Sequence, residues 1–505
     1  MLNKLLSQYQ KKFFSYAKNQ KLEFLSLLFL VLIASILRLW NIEGHMTFLG
    51  DEGRDALVLL NIFQEGRLTL LGPSASVGGF FLGPAYYYLV IPGFLLFGMS
   101  PVGMAFEVAV LGFATVIILY LLIKKYLGFL PAILATLLYS VSPVVVMFSR
   151  SSWNPNILPF LSLLIFVFLL LSKEKNKIVF SFAVGAIFGL AIQSHYLGLI
   201  LALPIFIITT IFSINNISRL IKIYLITFLG FLFTFSPYFL FELRHGFKNT
   251  STIIEFVTKP SGAVGIREFQ FGDNALSAIS RLFRETLSIT NSETALFVGL
   301  ATLLLAVISV GFFKSKKISN FYLVVIIWAL SGILGLAFYN GELYNYYFSF
   351  LFPVPFLLLS LIFFIFKNQK IVSTILIVCT FALIAYLLPK NIIFKQESNQ
   401  LKTAKSVSNK VLELAGGRQY NFALMASGNT DYAYRFFLEK NNFAPTPIEN
   451  QITDQLIVVC EEKDCRYNLS PMPQILSFGP RQLDQEIDFI PGHIKIFRLI
   501  HEPSK

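Results

Sequence analysis

Charge is scarce in this chain, at 14% of 505 residues, and cysteine scarcer still, with three in all. So little charge beside 55% hydrophobic residues, 54 phenylalanines and a mean hydropathy of +0.68 excludes an ordinary soluble globule. The cysteines say little about redox compartment. Cys379 lies inside an apolar run, where it packs. Cys460 and Cys465 in "CEEKDC" are close enough to pair if that segment is extracytoplasmic, with two free thiols the equal alternative. Without a second ligand pair they do not make a zinc site. A P-loop, a dinucleotide fingerprint, a zinc-peptidase motif and a catalytic-cysteine constellation are also lacking. The sequence shows neither internal repeat nor low-complexity tract, which weighs against inverted-repeat transporters.

What is present is a succession of apolar runs. They fall near residues 22–40, 103–123, 128–148, 156–172, 177–193, 196–214, 221–241, 295–313, 319–339, 345–366 and 371–389. The first has no small-residue cleavage site and outlasts a signal-peptide core, so it reads as a retained span. "PAYYYLVIPGFLLFG" is shorter than the roughly twenty residues a span needs and is interrupted by Pro92 and Gly93. Reading it as an interfacial or re-entrant helix puts Lys4, Lys11, Lys12, Lys18, Lys21, Lys124, Lys125, Lys173, Lys316 and Lys370 on one side. That is the positive-inside arrangement, and it explains the net charge of +13 without a nucleic-acid partner, for which outer basic patches are too sparse.

The fold expected is therefore a polytopic α-helical membrane protein of about eleven transmembrane helices in the cell membrane, with its amino terminus cytoplasmic. Residues 1–394 form the transmembrane domain, with a first outer loop at 41–102. Residues 395–505, where polar content becomes ordinary and "QLIVVC" and "HIKIFRLI" read as strands, form a small C-terminal extracytoplasmic α/β domain. Nearly all irregular polar sequence falls on the outer face, so a site belongs there.

At the first membrane exit, "FLGDEGRDALVLL" places Asp51, Glu52, Arg54 and Asp55 within five positions. The pattern predicts a helix start with Asp51 near the N-cap, where capping alone explains an aspartate, and Asp55 pairs with Arg54 or Arg67 or faces water. Against the bland reading, the carboxylates sit where a lipid headgroup arrives, followed by "GGFFLGPAYYYL", whose glycines and aromatics suit a membrane-surface helix.

The order of "LGDEGRDAL", "GPAYYYLVIPGFLLFGMSPVGM", "LLIKKYLGFLPAILATLLYSVSP" and "RSSWNPNILPF" resembles the GT-C glycosyltransferases, in particular the protein O-mannosyltransferase and aminoarabinose lipid A transferase branch, over roughly residues 20–390. The resemblance implies transfer of a sugar from a polyprenyl-phosphate donor to an extracytoplasmic acceptor with inversion, Asp51 taking the acceptor proton. Glu52 then orients Asp51, binds a sugar hydroxyl or binds a metal.

A departing phosphate needs a cation, and Arg150 in "FSRSSWNPN" stands at an outer span end, with Trp153 offering a stacking surface; a snorkelling arginine beside an interfacial tryptophan is the plain alternative. Asn154 and Asn156 stand where many related enzymes carry an acid, which disfavours a divalent metal, and no other cofactor is expected. His195 and Tyr196 in "AIQSHYLGL", Arg244 in "LRHGF", and Glu342 and Tyr346 in "YNGELYNYYF" complete the substrate-binding candidates at outer span ends, with Glu107 either snorkelling or facing a cavity. The competing class is a transporter or flippase of lipid-linked or amphipathic substrates, which calls for charges at mid-span and repeated halves.

Overall fold

Long apolar helices capped by short polar residues build most of the molecule. The structure is a computed structural model that describes residues 20–75, 78–258, 270–339, 342–489 and 493–501. Among the described residues eight helices are long and apolar enough to cross a membrane, nine if a bent pair is one span. They include α1 (Lys21–Leu39), α5 (Pro101–Leu127), α8 (Leu158–Lys175), α10 (Ala202–Ser213, with the 3₁₀ turn Tyr196–Leu201), α11 (Ile217–Arg244), α14 (Ser292–Phe312), α15 (Lys316–Ala337) and α17 (Lys370–Leu387). Caps follow local chemistry: Ser100 before Pro101, Asn216 and Asn291 each accept a backbone N–H of the helix they start.

Each of the eleven expected runs coincides with helix, but two are broken. The run at 128–148 becomes α6 (Phe129–Val141) and α7 (Pro143–Phe148), and the run at 345–366 becomes a 3₁₀ helix (Asn345–Leu351) and α16 (Pro353–Phe366), bent by 49°. Pro143 and Pro353 lack the N–H that would continue the preceding helix. The expected lysines Lys4, Lys11, Lys12 and Lys18 lie outside the described residues.

Two small-residue contacts fix the packing of the helices. α4 (Ala85–Leu96) is too short to span at 1.5 Å per residue, and lies against α5, where a Cβ on Gly93 would stand 2.2 Å from the Gly103 carbonyl oxygen. Glu107 packs against Gly93 in this seam. α9 (Val179–Ser194) meets α11 equally closely, a Cβ on Gly185 falling 1.7 Å from the Thr227 oxygen.

The C-terminal domain is a four-stranded sheet of order β1-β2-β4-β3, comprising β1 (Asn421–Met425), β2 (Gln455–Cys460), β3 (Arg481–Phe489) and β4 (Ile494–His501). β1 and β2 are parallel and the other pairs antiparallel. Cys460, the last residue of β2, is joined to Cys465 in a disulfide. α18 (Gln400–Ala415) and α19 (Tyr432–Lys440) cover the sheet on the side facing the membrane unit, and α19 packs on α3 (Gly50–Glu65). Gly53 permits this contact, since its Cβ would lie 2.3 Å from the Ala433 nitrogen.

Candidate active site

α3 carries the acidic cluster, and its first turn is capped from two sources. The helix starts at Gly50 with Asp51 in its first turn, as expected, but the N-cap is Leu49, so Asp51 is not the capping residue. Glu52 Oε2 accepts the Leu49 N–H at 3.1 Å, and Asn429 Oδ1, from the C-terminal domain, accepts the Gly50 N–H at 3.0 Å. With the cap supplied by others, the Asp51 carboxylate is released for other contacts. Its side chain remains 41% exposed and meets Arg54 Nη1 at 2.8 Å.

Arg54 is a fork between two carboxylates. Its Nε and Nη2 donate to Asp55 Oδ1 at 3.0 and 2.8 Å, while Nη1 serves Asp51. Of the alternatives for Asp55, the pairing with Arg54 is realised and not exposure to water: it is fully buried, because α4 lies over it and the Tyr87 hydroxyl donates to the same Oδ1 at 3.2 Å. Burial pushes the Asp55 carboxyl up to about 6 although Arg54 opposes the shift. Burial likewise pushes Glu52 up to about 7, opposed by the Leu49 backbone N–H.

Asp51 and Trp153 line two cavities at once. The first, about 30 Å³, is a cleft bounded by Arg54, Ser74, Asn154, His195, Tyr196, Tyr346 and Tyr347. The second, about 340 Å³, is bounded by Thr47, Glu52, Ser151 and Asn156 and by Gly428, Asn429 and Thr430 of the C-terminal domain. In the cleft, Trp153 packs edge-on against Tyr346 with ring centroids 4.4 Å apart, and His195 stacks on Tyr196 at 4.3 Å. His195 Nδ1 accepts the Leu197 N–H at 3.2 Å, so Nε2 holds the ring proton; burial pushes the imidazole down to about 3 and keeps it neutral. The Tyr196 hydroxyl donates to that of Tyr347 at 2.9 Å, and Asn154 Nδ2 donates to the Ser194 carbonyl at 2.6 Å.

Three expected contacts are not brought here. Arg150 is 1% exposed and turned inward: Nη1 donates to the Leu37 carbonyl at 2.7 Å and Nη2 to those of Trp40 and Asn41, closing the carboxyl end of α1. Arg244 is exposed at the end of α11, and Glu342 is exposed and accepts the nearby Tyr344 hydroxyl; neither lines either cavity. The cation in the cleft is Arg54. It stood inside the quoted motif, but only as a partner for Asp55. Ser74, Asn429 and Thr430 were also missed and carried no signal, whereas Tyr347 belongs to the tyrosine-rich segment "YNGELYNYYF" already placed at an outer span end. Among the described residues no three His, Cys, Asp or Glu side chains are grouped to hold a metal ion. Arg54 already fills the space between Asp51 and Asp55, so this pair does not fit a divalent cation.

The architecture has solved counterparts. ArnT from Cupriavidus metallidurans, in the structure bound to undecaprenyl phosphate, matches with a TM-score of 0.63 at 12% identity, covering 95% of this chain and 99% of that one. The chain has the GT-C fold. The apo form of the same protein matches the GT-C fold here at 0.62 and 12% identity, over 94% and 97% of the two chains. The apo oligosaccharyltransferase of Archaeoglobus fulgidus matches at 0.53 and 14% identity, over 82% of this chain and 63% of that one. Within the GT-C unit, residues 82–241 match the family model described as dolichyl-phosphate-mannose-protein mannosyltransferase. Among curated proteins none matches the sequence.

Proposed function

We propose that this chain is a membrane glycosyltransferase that moves a sugar from a polyprenyl-phosphate-linked donor to an extracytoplasmic acceptor hydroxyl, with inversion. The observation that carries the reading is the position of Asp51 in the wall between two cavities of different character. Inversion needs the acceptor and the leaving group on opposite sides of the anomeric carbon. The cleft offers N–H donors from Arg54 and His195 for the departing phosphate, and the wider cavity offers the hydroxyl groups of Thr47 and Thr430 for the acceptor. Trp153, shared by both, provides an aromatic face for the sugar between them.

The acceptor oxygen then attacks the anomeric carbon, its proton passes to the Asp51 carboxylate, and the bond from that carbon to the phosphate oxygen breaks, leaving lipid phosphate. Glu52 supports the turn that aims Asp51. The GT-C fold and the lipid phosphates bound by solved relatives, undecaprenyl phosphate in ArnT and dolichol phosphate in archaeal AglB, support the donor class.

The test is reconstitution of the purified protein with a mixed polyprenyl-phosphate sugar pool and detection of a new glycosidic bond. Asp51→Asn is expected to lower the rate by about 10²–10⁴-fold while the protein stays folded. Full activity in that variant removes Asp51 as the base, and translocation of lipid without a new bond replaces the enzyme with a transporter.

A further inference from the structure

A third cavity, of about 240 Å³, lies at the opposite ends of the helices that deliver the site residues. α8 begins just after Asn154 and ends at Lys175, α9 ends at Ser194 before His195, and the Tyr196 segment runs into α10, which ends at Ser213. The far ends of these helices, with the start of α11, enclose the cavity. At 1.5 Å per residue, α8 alone separates the two places by roughly 27 Å. This chamber is therefore no extension of the candidate active site.

Its lining is cationic and hydroxylic, without a carboxylate. Lys173 is held in place by donating to the Phe212 carbonyl at 2.7 Å, and Arg219 enters from the first turn of α11 with no carboxylate partner among the described residues. The neighbouring acid, Glu174, is already engaged by Lys125 and Tyr126. Two further side chains bear on the cavity's purpose. Thr209 and Ser213 are only 4% and 8% exposed, yet their hydroxyls bond to no described protein group and line the cavity. The adjacent Thr210 shows the ordinary alternative, donating to the Phe206 carbonyl one turn back at 2.9 Å. Hydroxyls that open onto the cavity beside two cations suit a ligand rich in acceptor oxygens.

We propose that this cavity binds a phosphate group, carried by an anionic phospholipid of the adjoining leaflet. The apolar part of the wall, Leu169, Phe212 and Ile223, suits the root of an acyl-bearing headgroup, and the volume suits the headgroup and not the chains. A soluble phosphate presents the same chemistry to Lys173, Arg219, Thr209 and Ser213.

The experiment uses the full-length protein in nanodiscs of phosphatidylglycerol, nanodiscs of phosphatidylcholine, and phosphatidylcholine nanodiscs with millimolar inorganic phosphate. Bound phosphate species are read by native mass spectrometry and thermal stability in parallel. Wild type is expected to retain phosphatidylglycerol and to be more stable in it. Arg219→Gln and the charge-neutral, nearly isosteric Thr209→Val are each expected to weaken retention by about ten-fold or more. Equal binding of inorganic phosphate, lost in the same variants, keeps the phosphate site and identifies a soluble source. Retention undiminished in Thr209→Val, or weakened by Arg219→Gln only as much as by the exposed Lys317→Gln, shows diffuse attraction to the charged face and overturns the proposal. Neither variant touches the Asp51 site, so sugar transfer reports folding independently.

Discussion

Arg54 is the residue on which the candidate site turns, because two carboxylates of different exposure share its guanidinium. Arg54→Gln leaves Asp55 buried without its cation, a loss typically worth about 3–5 kcal/mol, and a fall in melting temperature is expected. Adding Asp55→Asn removes the stranded charge, so the double variant Arg54→Gln/Asp55→Asn should regain most of the lost stability. It should not regain transfer, because Asp51 loses its partner and the cleft its cation; wild-type turnover in the double variant would reduce Arg54 to a structural role. Glu52 gives a pH-dependent counterpart. Its carboxyl, raised by burial to about 7, binds more proton in the folded than in the unfolded chain between the ordinary carboxylate range and that value. Stability therefore falls as pH rises through this window and levels off above it. Asp55, raised to about 6, adds a loss of the same sign that is largely complete at lower pH. Glu52→Gln should flatten the remaining decline between about pH 6 and 7 and still accept the Leu49 N–H. Melting curves across that interval decide it: an unchanged slope would mean Glu52 does not titrate there.

Among the elements, the contact between α3 and the C-terminal domain does most to shape the larger cavity. Asn429 joins them, accepting from Gly50 N–H and donating through Nδ2 to both oxygens of Glu461 at 3.2 and 3.0 Å. Glu461 itself lies within the turn closed by the Cys460–Cys465 disulfide. Asn429→Ala should lower kcat/KM about five- to ten-fold, the worth of roughly 1 kcal/mol for a lost hydrogen bond, with little change in melting temperature. A melting temperature that collapses instead would assign Asn429 to domain docking alone. This link marks the boundary of what could be read from the chain. The long helices, the strands "QLIVVC" and "HIKIFRLI", and the gathering of Asp51, Trp153, His195 and Tyr346 were legible because each follows from apolar run length, alternation or position at a span end. The breaks before Pro143 and Pro353 were written in the sequence, but run hydropathy overrode them. Arg150 and Arg54 could not be sorted, since both are arginines beside aqueous ends; only the folded chain brings the Leu37, Trp40 and Asn41 carbonyls to one of them. Burial of Asp55 depends on Tyr87 of another helix, and Asn429 reaches Gly50 across 379 residues. No local pattern encodes either contact.

For the whole molecule, the arrangement of lysines and the site at opposite ends of the helices makes orientation testable without reference to the amino terminus. α15 starts at Lys316, among exposed lysines, and ends at Ala337, close before the tyrosines of the cleft. The bent pair starts at those tyrosines and returns to Phe366, after which α17 runs from Lys370 to Leu387 and leads into the C-terminal domain. If the bent pair crosses the bilayer, three crossings separate Lys317 from Lys463, and the two lie on opposite faces. If the 49° bend makes it a re-entrant loop, only two crossings remain and they share a face. Cys379 is the sole free cysteine among the described residues, since Cys460 and Cys465 are paired, so Cys379→Ser gives a background blind to maleimide. Lysines concentrate at cytoplasmic ends of spans, so the expected outcome is a cytoplasmic Lys317 end and a candidate active site at the outer surface. In that background Lys463→Cys should react with an impermeant maleimide in intact cells, and Lys317→Cys only after permeabilisation. Reaction of both in intact cells would mean that the bent pair turns back within the membrane. Protection of Lys463→Cys with reaction of Lys317→Cys would invert the molecule and place sugar transfer on the cytoplasmic side, where a lipid-linked donor on the outer leaflet could not reach Asp51.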